Sequence, residues 1–167
     1  MSRAFVKEDG NDLAPLPDLP VSPHPNYVTP RGLAQLQQRL KATQDQLLQL
    51  RARAERLDKL PEAAAERDIR YLESRLRSAI LIDAAPLPLT EVAFGLCVTV
   101  ATPEGQETAY TIVGEDEADA PQNLIAPHSP LARALIGAAV GDAVIWRKPS
   151  GAQQLEITRI FHADPTA

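Results

Sequence analysis

The fold turns on one stretch, Thr29-Pro30-Arg-Gly32-Leu33-Ala-Gln-Leu36-Gln-Gln-Arg39-Leu40-Lys-Ala-Thr43-Gln-Asp-Gln-Leu47-Leu-Gln-Leu50-Arg51-Ala-Arg-Ala54-Glu-Arg-Leu57-Asp58. With Leu33 at heptad position a, the a sites are Leu33, Leu40, Leu47 and Ala54, and the d sites are Leu36, Thr43, Leu50 and Leu57. All but Thr43 are apolar. A period of 3.5 residues held this long predicts a narrow seam packed on one partner helix, because an ordinary surface helix shows a wider apolar face. The next residues supply that partner. After Lys59-Leu60-Pro61, the positions Ala65, Ile69, Leu72, Leu76 and Ala79 recur at spacings of four and three. The connection is too short for anything but an antiparallel return, so the sequence predicts a coiled-coil hairpin over 27–83, its helices running from Pro30 to Asp58 and from Glu62 to Ile80.

Outward from the hairpin the chain changes character twice. Residues 1–26 hold Pro15, Pro17, Pro20, Pro23 and Pro25 among isolated apolar residues and are expected as a disordered, Pro-rich tail, with Ala4-Phe5-Val6 as an alternative docking peptide. Thr29 and Pro30 have the residue types of an N-cap and a first helical position. Pro86 and Pro88 end the second helix in a linker, 84–89. From Thr90 the period becomes two. Val92-Ala-Phe94, Leu96 to Val100, Thr108 to Val113, Val144 to Arg147 and Gln154 to Ile160 are expected strands, and Ser129-Pro130 opens a short helix closed by Gly137. The expected fold class is therefore α+β: a helical hairpin, then an antiparallel sheet with a short helix over 90–167.

Charge and composition narrow the function. The net charge is −5 and the sequence pI about 5.2, with residues 84–167 carrying ten Asp/Glu against four Lys/Arg. An independent DNA binder needs a basic face for phosphate, so a protein partner is expected instead. No stretch has the length of a membrane span, the first residues lack the apolar core of a signal peptide, and the single Cys97 forms no internal disulfide, which together suggest the cytoplasm. His24, His128 and His162 are scattered, no Gly-rich phosphate loop or nucleophile elbow is present, and Cys97 in a strand is expected as a small core residue. The remaining chemistry is at the hairpin tip. Asp58 and Glu62 flank the turn there, and carboxylates on a rigid arm suit Mg²⁺, which takes few protein oxygens when substrate phosphates supply others. A merely solvated tip explains the same charges.

The order of parts also resembles a known family. Tyr27-Val28-Thr29-Pro30-x-Gly32-Leu33, Ile82-Asp83, Val92-x-Phe94-Gly95, Ile112-Val-Gly-Glu-Asp-Glu-Ala-Asp119 and, above all, Ser129-Pro130-Leu131-Ala132-Arg133-Ala134-Leu135-Ile136-Gly137 with Gly141-Asp142 resemble the GreA/GreB transcription elongation factors. The resemblance implies an FKBP-like C-terminal domain without isomerase activity. That domain would grip the rim of the secondary channel of bacterial RNA polymerase, with Ser129, Pro130, Leu131, Ala132 and Arg133 at the contact. The hairpin would enter the channel. In members that stimulate transcript cleavage, two acidic tip residues help hold a Mg²⁺ ion shared with the polymerase, near the RNA 3′ end, and the polymerase performs the hydrolysis; the factor is not itself an enzyme. Here Asp58 and Glu62 are the candidate metal ligands. The tip departs from the family pattern of Asp-Leu-Ser-Glu-Asn, and the hairpin is shorter by about two turns per arm, roughly 10 Å. Three alternatives follow: a non-cleaving occupant of the channel that competes with cleavage factors, a coiled-coil adaptor unrelated to polymerase, and, weakest, a prolyl isomerase built around Phe94, Tyr110, Trp146 and Phe161.

Overall fold

A computed structural model describes residues 14–54 and 58–163. Strand β1 (Tyr27–Val28) leads directly into helix α1 (Pro30–Arg51). Thr29 caps that helix, its hydroxyl accepting the Gly32 N–H at 2.9 Å, and Pro30 takes a first-turn position where its missing N–H costs nothing. Helix α2 (Leu60–Ser78) runs back along α1. Leu36 packs with Leu72 in a cluster that includes Leu33, Leu40 and Leu76, and Leu47 and Leu50 pack with Ala65 and Ile69. Strand β2 (Ile80–Leu81) then pairs in parallel with β1, closing the base of the hairpin.

The helix bounds near the tip differ from the expected ones. Helix α1 ends at Arg51 rather than Asp58, with the Ala52 N–H bonded to the Leu48 carbonyl. Ala54, expected in the seam, is exposed, and Leu57 lies outside the described residues. Pro61 does not break the chain but sits in the first turn of α2, where proline is tolerated.

Strands β3 (Leu96–Ala101), β4 (Glu107–Ile112), β5 (Leu124–Ile125), β6 (Ala143–Lys148) and β7 (Gly151–His162) form a curled sheet in the order β5-β4-β3-β7-β6. The sheet is mixed rather than wholly antiparallel. The chain leaves β4 through residues 113–123, turns through a short 3-10 segment and a left-handed Asn123, and re-enters as β5 parallel to β4. Val92-Ala-Phe94, expected as a strand, is irregular, although Val92 exchanges two backbone hydrogen bonds with Gly137 and Ala138. Helix α3 (Pro130–Leu135) lies over one end of the sheet, where Leu131, Ala132 and Leu135 join Val92, Leu96, Val98, Val100, Ile112, Leu155, Ile157 and Ile160 in the main core.

The acidic segment Gly114 to Asp119 is the joint between the two parts. Arg75 of α2 is only 1% exposed. Its Nε donates to Asp116 at 2.6 Å, and its Nη2 donates to the Asn26 side chain at 2.6 Å and approaches Glu115 at 3.4 Å. Tyr71, one turn earlier, donates its hydroxyl to the same Asp116 at 2.6 Å. Beside them the Thr29 hydroxyl donates to buried Glu117 at 2.6 Å, with Arg31 at 3.9 Å. Gly114 permits this approach, since a Cβ there would meet the Tyr27 carbonyl oxygen at 2.6 Å. Residues 14–26, where the sequence suggests a disordered tail, carry contacts of their own with α2 and with this joint; residues 1–13 lie outside the described part.

Two predictions follow from the joint. Arg75→Ala leaves buried Asn26 and partly buried Asp116 without the guanidinium, so urea denaturation is expected to show a loss of about 3 kcal/mol, the lower end of the cost of removing one member of a buried pair. Burial, then the bond and charge of Asp116, push the Tyr71 hydroxyl from its ordinary value up to about 12. A raised folded-state value means that this contribution to stability is intact below about pH 10 and is lost as pH climbs toward 12. Tyr71→Phe is expected to remove that component of the alkaline stability slope, measured against the unsubstituted chain.

Candidate functional site

The tip acids differ in their surroundings. Asp58 is exposed and its Oδ1 accepts the Leu60 N–H at 2.9 Å, so one carboxylate oxygen is occupied at the start of α2. Glu62 sits in the first turn of the same helix and is 7% exposed. An acid there is favourable for the helix dipole. Glu66, a turn further on, pairs with Arg51 at 2.6 Å, joining the end of α1 to α2, and Asp68 pairs with Arg67 at 2.7 Å. Among the described residues no group of three His, Cys, Asp or Glu side chains is arranged to hold a metal ion. One acid thus has an oxygen on the helix start and the other is nearly covered.

The segment Ser129 to Arg133 divides by direction. Ser129 caps α3, its Oγ accepting from the Ala132 N–H at 3.3 Å, and the Ser129 N–H is itself held by the Ala126 carbonyl at 3.0 Å. Leu131 and Ala132 are buried in the main core at 4% and 0% exposure. Only Pro130 and Arg133 face outward. They line an open groove with Ala134 and with Ile145 and Arg147 of β6, and Ile145 is half exposed although it lies in a strand. An exposed apolar side chain flanked by two guanidinium groups is a local exception on a domain that is acidic overall, and such a rim suits a partner that carries carboxylates beside apolar residues. Ile145 and Arg147 have no mark in the sequence that sets them apart from other strand residues; only the packing of α3 against β6 brings them to Arg133.

Other candidate groups sort quickly. Cys97 is buried, its Sγ lies 2.9 Å from the Thr111 hydroxyl, and burial pushes its thiol up, so it is poorly suited to nucleophilic work. The four aromatic residues of an isomerase pocket have different neighbours. Tyr110 and Trp146 stand edge to face at 6.5 Å in a small cleft with Val100 and Leu155, and Lys148 Nζ lies 4.1 Å above the Trp146 ring. Phe94 instead packs with Tyr27, and Phe161 lies under Arg159. The structure also joins His24 and His128, far apart in sequence, as stacked rings 4.3 Å apart, with His128 Nδ1 3.1 Å from Glu115. No spacing in the sequence signals that pair.

Comparison with known proteins bears on the same segments. Residues 87–161 match the family model described as transcription elongation factor, GreA/GreB, C-term. The transcription elongation factor GreA of Pseudomonas putida is 41% identical over 103 residues, covering 60% of this chain and 64% of that protein. GreA of Xanthomonas axonopodis pv. citri is 44% identical over 98 residues, covering 58% and 62%. This chain therefore spans less than two thirds of the length of these curated relatives. The solved structure of the prokaryotic transcription elongation factor GreA/GreB from Nitrosomonas europaea aligns with a TM-score of 0.42 and 21% identity, covering 82% of this chain and 99% of that one. The matched residues include α3, the groove beside it and the five-stranded sheet up to Phe161, and over this domain the chain is similar to the GreA/GreB transcription elongation factors.

Proposed function

We propose that this chain binds bacterial RNA polymerase at its secondary channel, in the cytoplasm, and modulates transcription elongation by occupying that channel rather than by lending metal ligands. The sheet domain serves as an FKBP-like docking module, and α1 and α2 serve as a coiled-coil hairpin that projects into the channel. Similarity to the GreA/GreB transcription elongation factors supports the partner. The state of the tip supports the mode of action: Asp58 has an oxygen on the Leu60 N–H and Glu62 is almost covered. Length argues the same way, since α1 with 22 residues is about 33 Å long and α2 with 19 about 28 Å. An occupant needs only bulk in the channel, whereas a ligand donor must bring two free carboxylates to the shared ion. Docking falls to Pro130 and Arg133 with Ile145 and Arg147, since Leu131 and Ala132 face the core and Ser129 holds the helix start.

Backtracked elongation complexes with Mg²⁺ discriminate the readings. The chain is expected to bind, to leave the RNA at full length, and to slow cleavage by an added cleavage factor, with Asp58→Ala/Glu62→Ala behaving as the unsubstituted chain. Shortened RNA with the unsubstituted chain alone would restore the cleavage mechanism and reject occupancy. Failure to bind would leave the adaptor reading. Two substitutions in α3 should separate docking from folding. Arg133→Ala is expected to weaken polymerase binding about tenfold or more at unchanged thermal stability, the size of an interface arginine's contribution. Leu131→Ala is expected to cost about 2–5 kcal/mol in urea denaturation, as for other buried leucines.

A further inference from the structure

Residues 14–26 are fastened to three separate places. The Arg70 guanidinium of α2 donates to Asp18 at 2.6 Å and to the Leu16 carbonyl at 2.8 Å. The Ser22 hydroxyl donates to Glu115 in the acidic joint at 2.7 Å. The His24 ring stacks on His128, which precedes α3. At the end of the segment the Asn26 amide donates to the Arg75 carbonyl at 2.8 Å and to Ser78 at 3.1 Å. One extended stretch therefore touches both the hairpin and the sheet domain.

Its composition fits that task. Pro15, Pro17, Pro20, Pro23 and Pro25 lack N–H groups, so the segment is unsuited to an added strand, and it attaches through side chains and a carbonyl. The same prolines narrow the range of shapes open to it when detached, which lowers the entropy lost on docking. Its position supplies something the joint lacks. Tyr71 and Arg75 lie one turn apart on one side of α2 and both hold Asp116. Arg70 is about 100° round the helix from Tyr71 and roughly 7.5 Å along the axis from Arg75. The Thr29–Glu117 bond holds the start of α1 to the same joint, and Arg70 adds a fixing point on a further side of α2.

We infer that residues 14–26 are a brace that sets the angle between the hairpin and the sheet domain, a conformational device that stands whether or not the chain docks on polymerase. Pulsed electron-spin distance measurement on the full chain tests it, with nitroxides at Gln46→Cys on α1 and Gln154→Cys on β7, both exposed positions. Native Cys97 is buried and stays unlabelled. The unsubstituted brace is expected to give one narrow distance peak. Adding Asp18→Ala/Ser22→Ala/His24→Ala is expected to abolish that peak in favour of a broad distribution at unchanged helical ellipticity. Arg70→Asp should broaden it as well, and Asp18→Arg with Arg70→Asp should recover much of the narrow peak. A narrow peak that persists in the triple variant, with a second label pair at Val21→Cys and Glu73→Cys showing the segment detached, overturns the inference. A broad distribution in the unsubstituted chain overturns it too.

Discussion

Everything rests on one buried positive charge. Arg75 is covered by the chain that surrounds it, so its charge must be answered inside the protein, and the answer comes from three residues of two distant segments: Asn26, and Glu115 with Asp116. A buried guanidinium is costly without complete partners and tolerable with them, which makes its position selective about geometry. The acidic run after β4 can therefore dock at few places on the hairpin. Asp116 accepts from Tyr71 as well as Arg75, and Glu117 reaches the Thr29 hydroxyl that also caps α1, so the start of one helix, the end of the other and the sheet domain share one polar cluster.

That cluster explains what the sequence showed and what it hid. The helices were legible because Leu33, Leu36, Leu40, Leu47 and Leu50 repeat on a period that only a helix brings to one side. The helix starts were legible from Thr29-Pro30 and Ser129-Pro130, whose hydroxyl and ring have positional meaning. The end of α1 was not, because Ala54 satisfies the heptad by residue type and yet lies exposed beyond the last helical residue. The parallel pairing of β5 was hidden since two residues carry no period. The acidic joint was hidden for a deeper reason: Glu115, Asp116 and Glu117 look like a solvated loop, and nothing local says that Arg75, some forty residues earlier, takes the first two and Thr29 the third.

The candidate site has a similar division. Ser129 to Arg133 stood out as a segment, but the sequence could not say which of its side chains are available. The helix settles that through its period, turning Leu131 and Ala132 to the core and Pro130 and Arg133 to the groove. The tip acids were legible as charges near a turn, and the structure separates them by exposure, with Asp58 outside and Glu62 nearly covered. The chain thus combines an anchor of mixed apolar and cationic character with an arm whose end is engaged in its own helix start.

Trp146 is the single tryptophan of the chain, and it lies in β6 beside Tyr110 and under Lys148. Indole emission is therefore a signal from the sheet half alone, while most of the helical ellipticity comes from α1 and α2. The two optical signals watch opposite sides of the Arg75 cluster. Melting curves that superimpose would mark the arm and the anchor as one thermodynamic unit, and curves that part would give the strength of the joint directly, without any label added to the molecule.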